Sequence, residues 1–234
     1  MKKKVVVIHQ PDFAPYLGFF HRFLHADMYI ALDHVQFVRS SSRSWTNRDK
    51  IKTVQGEKWL TLGVNKAPRD TAINRIELSA TTNWRQDNFL LLEQNYRKAP
   101  HYGELLPELE KLYARSFKLL RDFNMASIEM LMDMLDVRIP WEWSSKFAPE
   151  GTKNELLVHL LQKVSATHYL SGVGARDYFE PTPFANAGID VIWQSFSHPV
   201  YSQQFDSFLP NLSVLDMLFN CGIKTSREIL RNCR

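Results

Sequence analysis

An unbroken apolar run, Val5-Val6-Val7-Ile8, passes straight into His9-Gln10-Pro11-Asp12-Phe13-Ala14-Pro15-Tyr16, and Gly18 then opens a helical stretch, Phe19–Leu24, that carries His21. Such a run fits a strand buried on both faces, the mark of a parallel sheet covered by helices. Met28–Leu32 is a second apolar run and ends at Asp33. Strand, loop, helix and strand within about thirty residues make a βαβ unit, which crosses over with a right hand. Both strands end in polar groups, so His9, Gln10 and Asp33 are expected at the carboxyl edge of one sheet, where α/β proteins bind ligands. A glycine-opened helix start also offers unpaired N–H groups to an anion.

The rest of the chain extends this pattern. Ser40–Arg48 reads as a polar loop, with Arg39 just before it and Trp45 inside it. Ile51–Val54 and Lys58–Val64 alternate as a hairpin turning at Gln55-Gly56, and Ile73–Leu78 reads as a further strand. Helical spacing begins near Asn83 and predicts long helices over Leu105–Phe123 and Ala126–Asp136, with Pro107 near a first turn. Ile139–Gly151 reads as a loop, and Thr152-Lys153-Asn154-Glu155 as a capping box opening a helix through Lys163. Thr167–Leu170 and Ile189–Trp193 complete a helix–strand–helix–strand tail, with a short helix over Ala175–Phe179 or Phe184–Ala187. The expected fold class is α/β: a Rossmann-like, mostly parallel sheet with a small β-hairpin insertion and a helical insertion. Residues 1–82 and 151–234 are read as two halves of one α/β domain, and 83–150 as the insertion.

Four constellations carry candidate chemistry. His9 and His21 flank the first turn, and either can stabilise charge on a phosphate, while Gly18 admits close backbone approach. Asp33-His34-Val35-Gln36, with Asn47-Arg48 downstream, supplies a carboxylate for a ribose hydroxyl, amine or magnesium and a guanidinium for an anion. Tyr169-Leu170-Ser171-Gly172-Val173-Gly174 is a glycine loop after a strand, able to cradle an anion but lacking a P-loop's lysine. His198, with Tyr201 and Gln203, follows the last strand. Against each stands a plain structural reading: a surface helix histidine, a strand-end cap, a solvated arginine, or a proline turn.

Several classes are excluded or disfavoured. No G-x-S-x-G elbow and no H-E-x-x-H pair occur, and a three-histidine metal site from His9, His21 and His198 is only geometrically conceivable. The net charge of +4 suits anionic small molecules but is too weak to make nucleic acid the main partner. Two cysteines, an apolar start of only four residues and no run near the ~20 residues of a membrane span point to a cytoplasmic protein. Oligomeric state is not legible.

His9-Gln10-Pro11, Pro15-Tyr16-Leu17-Gly18-Phe19-Phe20, Ala26-Asp27, Leu32-Asp33-His34-Val35-Gln36-Phe37, Asn47-Arg48 and Trp59-Leu60-Thr61 together resemble the WbqC-like family. Tyr169-Leu170-Ser171-Gly172, His198-Pro199, Tyr201 with Gln203, and Leu212-Ser213-Val214-Leu215-Asp216 continue the match. The resemblance implies a role in bacterial surface polysaccharides, including O-antigen, with transfer of an amino acid, glycine especially, to an amino sugar. Gly18 and His21 are also similar to part of the H-x-G-H signature of adenylating nucleotidyltransferases, although Tyr16 stands at the first histidine's place. The expectation is therefore an acyl- or aminoacyl-transferring enzyme, with ATP and magnesium open as cofactors. His9, His21 and Asp33 are the catalytic candidates. Gly18, Ser171 and Gly172 would hold phosphate, and Gln10, Gln36, Asn47, Arg48, His198, Tyr201 and Gln203 would line the substrate side. The alternatives are a transferase using a pre-activated donor, an acyl-CoA or a charged tRNA (the latter not favoured), and a non-catalytic partner of a polysaccharide assembly complex.

Overall fold

A computed structural model describes residues 2–39, 44–205 and 207–233; the front of the polar loop expected before Asn47, Ser40–Arg43, lies outside them. The elements run β1 (Val5–His9), α1 (Leu17–Phe23), β2 (Met28–Ala31), β3 (Arg48–Thr53), β4 (Gly56–Thr61), α2 (Trp84–Tyr96), α3 (Tyr102–Ala114), α4 (Leu120–Leu135), β5 (Trp141–Trp143), α5 (Lys153–Lys163), β6 (His168–Ser171), α6 (Pro181–Asn186), β7 (Asp190–Trp193) and α7 (Val214–Asn232). Five strands form one all-parallel sheet in the order β5-β2-β1-β6-β7, and β3 and β4 pair as a separate antiparallel hairpin. The expected α/β class with a hairpin is thus the observed one.

β1 is central because its side chains are apolar on both faces. Val5 and Val7 pack into the larger core with α1, α2–α4 and α7, whereas Val6 and Ile8 pack with Val158, Leu160 and Leu161 of α5 and Phe184 of α6. Phe19, Phe20 and Phe23 lay α1 against Tyr29 of β2, with the Phe23 and Tyr29 ring centres 4.7 Å apart. Each side chain so buried contributes about 1.5–3 kcal/mol.

Several local expectations need correction. The stretch read as one helix over Leu105–Phe123 breaks at Arg115, where ψ is 145°, and α4 restarts at Leu120. Tertiary pairing overrides helical spacing there: the Leu78 N–H donates to Lys118 O and the Leu120 N–H to Ile76 O. For the same reason Ile73–Leu78 is no strand but a 3-10 turn over Ile73–Arg75 followed by isolated bridges. Pro107 falls inside α3, because the helix starts earlier, at Tyr102. Thr152 precedes α5 without a side-chain cap, and Lys153 is left-handed at φ 51°, so no capping box forms. The loop Ile139–Gly151 contains the edge strand β5 and a 3-10 turn, Ser144–Phe147. Both short helical options after β6 occur, as a 3-10 turn over Val173–Tyr178 and as α6. The C-terminal α7 went unread despite its amphipathic spacing; it kinks at Gly222, whose φ of 75° and close approach to the His101 ring leave no room for a side chain.

Candidate functional site

The chain leaves β1 toward β2 on one side, and β6 flanks β1 on the other, so strand order reverses between β1 and β6. Ligands of open α/β sheets bind beyond the carboxyl ends of strands at such a switch point. The β1–β2 ladder runs as far as His9↔Ala31, whereas β1–β6 pairing comprises only Val5↔His168 and Val6↔Tyr169. The ladder thus stops short of the carboxyl ends of β1 and β6, and this switch point is the candidate crevice. Continuing the register sets Gly172 level with His9, and the Gln194 N–H donates to Ser171 O at 2.8 Å, bringing Gln194 to the same rim.

His9 Nδ1 lies 3.0 Å from Gln10 O and 3.4 Å from Asp12 Oδ2. A carbonyl only accepts, so Nδ1 carries the proton and Nε2 presents a lone pair. No hydrogen bond to Nε2 occurs among the described residues. Burial, followed by the nearby Arg22 charge, lowers the His9 pKa to about 3. Burial raises the Asp12 pKa to about 7, against the opposing pull of Arg22 and Thr46. Burial also pushes the Asp49 carboxyl of β3 well up, with the Asp12 charge adding to that rise. His9 and Asp12 thus stand side by side, 3.4 Å apart, with the imidazole neutral and the carboxyl ionising at about 7. Sequence reasoning missed Asp12; its signal was its place three residues after His9, in a loop flanked by prolines.

This loop is fixed from three sides. Thr46 donates to Gln10 Oε1 at 2.9 Å, Asn124 of α4 donates to Pro11 O at 2.7 Å and Thr46 O at 2.5 Å, and Ser213 donates to Ala14 O at 2.6 Å. Ala14 is left-handed at φ 42°, a strained turn held by those contacts. Gln10 and His9 are thereby presented without freedom to swing.

The first helix is used differently from expectation. A Cβ on Gly18 would run into the Tyr16 ring and come within 2.9 Å of Phe196 Cδ1, so the bare Cα serves ring packing. The Phe19 N–H donates to Tyr16 O at 3.0 Å. His21 is buried, with Nδ1 3.3 Å from Gln194 Nε2 and Nε2 3.3 Å from His25 Nε2. Burial, then the neighbouring His25, lowers its pKa. Ser171 is 3% exposed, and its hydroxyl lies 3.5 Å from Gly172 O and within hydrogen-bond reach of the Tyr169 hydroxyl. Arg22, one residue past His21, is 3% exposed, and its guanidinium makes no hydrogen bond or ion pair among the described residues. Leaving a guanidinium so costs several kcal/mol.

The remaining candidates fall elsewhere. Asp33 ends β2 fully buried; its carboxylate accepts from Ser144 Oγ at 2.9 Å, Ser145 N at 2.9 Å, Ser145 Oγ at 2.8 Å and the Arg121 guanidinium. Gln36 donates to Arg69 O at 2.7 Å and holds the connector after the hairpin. Asn47 donates to Leu62 O at 3.3 Å, and Arg48 stacks on Trp59 with Cζ 4.0 Å from the ring centre. His198 Nδ1 donates to Pro199 O at 3.0 Å, and burial lowers its pKa. Tyr201 and Gln203 both donate to Asp216 Oδ2 at 2.8 Å, while Tyr96 donates to Oδ1 at 2.8 Å, a closed network at the start of α7. His9, Gln10, Ser171 and Gly172 therefore share the carboxyl edge of β1 and β6, whereas Asp33, the hairpin residues and the Asp216 network belong to clusters of their own.

Among the described residues, no group of three His, Cys, Asp or Glu side chains is placed to hold a metal ion, and no helix is long and apolar enough to cross a membrane. A hollow of about 430 Å³ at Lys153, Tyr178 and Glu180 and one of about 340 Å³ at Pro199, Glu228 and Cys233 gather no comparable chemistry.

An all-parallel sheet with a histidine–carboxylate pair at its switch point defines an α/β protein whose candidate site lies at the carboxyl ends of β1 and β6. The profile of the WbqC-like protein family matches residues 10–228, and the chain belongs to that family. It is 32% identical over 236 residues to the uncharacterized protein Rv1507c of Mycobacterium tuberculosis, covering 99% of each chain. No solved structure matches it.

Proposed function

We propose that this protein is an enzyme that transfers an acyl or aminoacyl group, glycine foremost, to the amine of an amino sugar or similar small amine in bacterial surface-polysaccharide synthesis. The polysaccharide setting and the glycine donor come with the family resemblance. The observation that carries the chemistry is His9, held through Nδ1 by Gln10 O and Asp12, with no hydrogen bond to Nε2 among the described residues. An attacking amine must shed a proton as its nitrogen bonds to the donor's carbonyl carbon. His9 Nε2 receives that proton, Asp12 stabilises the imidazolium, and the bond from the carbonyl carbon to its leaving group breaks as the intermediate collapses. Gln10 and Ser171 orient the reactants, and Asp33 acts at one remove by anchoring the sheet edge.

A donor activated before it arrives, such as a thioester or aminoacyl ester, is favoured over ATP-dependent activation. Gly18 is covered by rings and both His21 nitrogens have partners, so neither offers a free group to an α-phosphate. Asp33's oxygens are taken up by protein donors, a set that does not fit magnesium. Thermal shifts with acyl-CoA, charged tRNA and ATP separate the routes, since a ligand of the folded state raises the melting temperature. Mass-spectrometric transfer onto amino sugars tests the reaction itself. The expected rate rises as pH increases through about 7, where Asp12 ionises, and His9→Gln abolishes it. Full cellular function with folded His9→Gln would instead favour the non-catalytic partner.

A further inference from the structure

Among the described residues Arg22 is a buried cation with no ion pair, and the proposed reaction leaves it unused. We propose that the Arg22 guanidinium is the seat of an oxyanion, a carboxylate or a phosphate, on the molecule that enters between β1 and β6. The inference rests on reading that crevice as the binding site, and deepens it by naming a chemical class.

Arg22 Nε is buried with no hydrogen-bond partner. Its packing partner is the Phe19 ring, whose centre lies 5.4 Å from Cζ and which supplies no acceptor oxygen. The far end reaches the rim: a Cβ built on Gly172 would sit 3.6 Å from Arg22 Nη1 and 4.0 Å from Gln194 Oε1. The side chain missing at Gly172 therefore leaves space beside the guanidinium. Asp12 feels the Arg22 charge but lies beyond ion-pair distance. A planar fork of donors fits the paired oxygens of a carboxylate or phosphate, and a fixed positive charge repels an ammonium. The acceptor amine belongs at His9, and the anionic end of the same or the partner substrate at Arg22.

The test titrates the full chain with inorganic pyrophosphate, with glycine, and with sodium chloride at matched ionic strength, by calorimetry and thermal shift. Saturable binding of pyrophosphate assigns the seat to a phosphate; saturable binding of glycine assigns it to a carboxylate. Arg22→Met should weaken that binding at least about tenfold, the loss of a charge-assisted contact. Without ligand it should melt no lower than the wild type, because an unpaired buried charge is removed. Gly172→Ala places a methyl group at ordinary contact distance from Nη1 and should weaken binding severalfold while the fold stands; unchanged affinity there overturns the inference even if Arg22→Met fails to fold. Equal affinity in Arg22→Met, or no saturable anion binding at millimolar concentrations, also overturns it. Binding lost in Arg22→Met but kept in His9→Gln supports it. Anion binding at Arg22 without any transfer overturns only the functional reading, and transfer with an unchanged KM in Arg22→Met overturns only this inference.

Discussion

Asp33→Ala is the variant whose outcome separates a carboxylate kept free for substrate from one built into the fold. Four donors converge on its two oxygens, and they come from segments far apart in the chain: Arg121 from α4, and Ser144 and Ser145 from the turn after β5. The Asp33 N–H also donates to Ser144 Oγ at 3.0 Å, so the residue ties the end of β2 to the edge of the sheet on both its backbone and its side chain. Removing the carboxylate leaves Arg121 to Asp122, 3.4 Å from its Nε, and to the Trp143 ring, and takes the acceptor from the Ser145 hydroxyl and N–H, while Ser144 Oγ keeps His34 Nδ1 at 2.6 Å. Breaking a buried pair costs about 3–5 kcal/mol. Arg121 is 22% exposed, and water recovers part of its share, so the lower half of that range applies. At about 2–4 °C per kcal/mol for a chain of this size, the melting temperature should fall by roughly 6–16 °C. Urea unfolding followed by circular dichroism measures the free energy, and a thermal scan the midpoint. Ser144→Ala, which removes one of the donors, should show a smaller loss of about 1–2 kcal/mol. A melting temperature for Asp33→Ala within about 2 °C of the wild type would refute the reasoning.

Two further outcomes follow from the crevice. The His9 pKa falls from 6.5 to about 3 on folding, so the unfolded chain binds more protons between those values and stability rises with pH there. The Asp12 pKa rises from 3.8 to about 7, so the folded chain binds more protons and stability falls as pH rises through that window. The two slopes oppose each other over most of pH 4–6.5; Asp12→Asn should expose the His9 slope, and His9→Gln the opposite one, and urea midpoints with unchanged slopes in both variants would contradict the pairing. Gly18→Ala forces the Tyr16 and Phe196 rings apart, an overpacking cost of about 1–3 kcal/mol without any ligand present. An unaltered melting curve would mean that Gly18 is kept for ligand approach instead.

The fold's centre was legible because burial on both faces of β1 demands an unbroken apolar run, and Val5–Ile8 supplies one. The hairpin was legible from alternation around Gln55-Gly56. What escaped depends on contacts between distant segments. The break at Arg115–Leu119 comes from pairing with Ile76–Leu78, and Ser144 and Ser145 become meaningful only once Asp33 is seen to need donors. The site showed the same division. Spacing placed His9, Gln10, Ser171 and Gly172 at one sheet edge. It could not show that Gly18 faces aromatic rings, nor that Tyr201 and Gln203 spend their polar groups on Asp216. Arg22 stood in plain view between Phe20 and Phe23, and only its burial without a counter-ion marks it out.

The most direct test of the account is the protonation state of His9, read from the nitrogen shifts of histidine-labelled protein across about pH 5–8. His9 should hold a neutral ring throughout, protonated on Nδ1 and bare on Nε2, with a step near pH 7 as Asp12 ionises, absent in Asp12→Asn. An imidazolium forming near 6.5, or a neutral ring carrying its proton on Nε2, would contradict it.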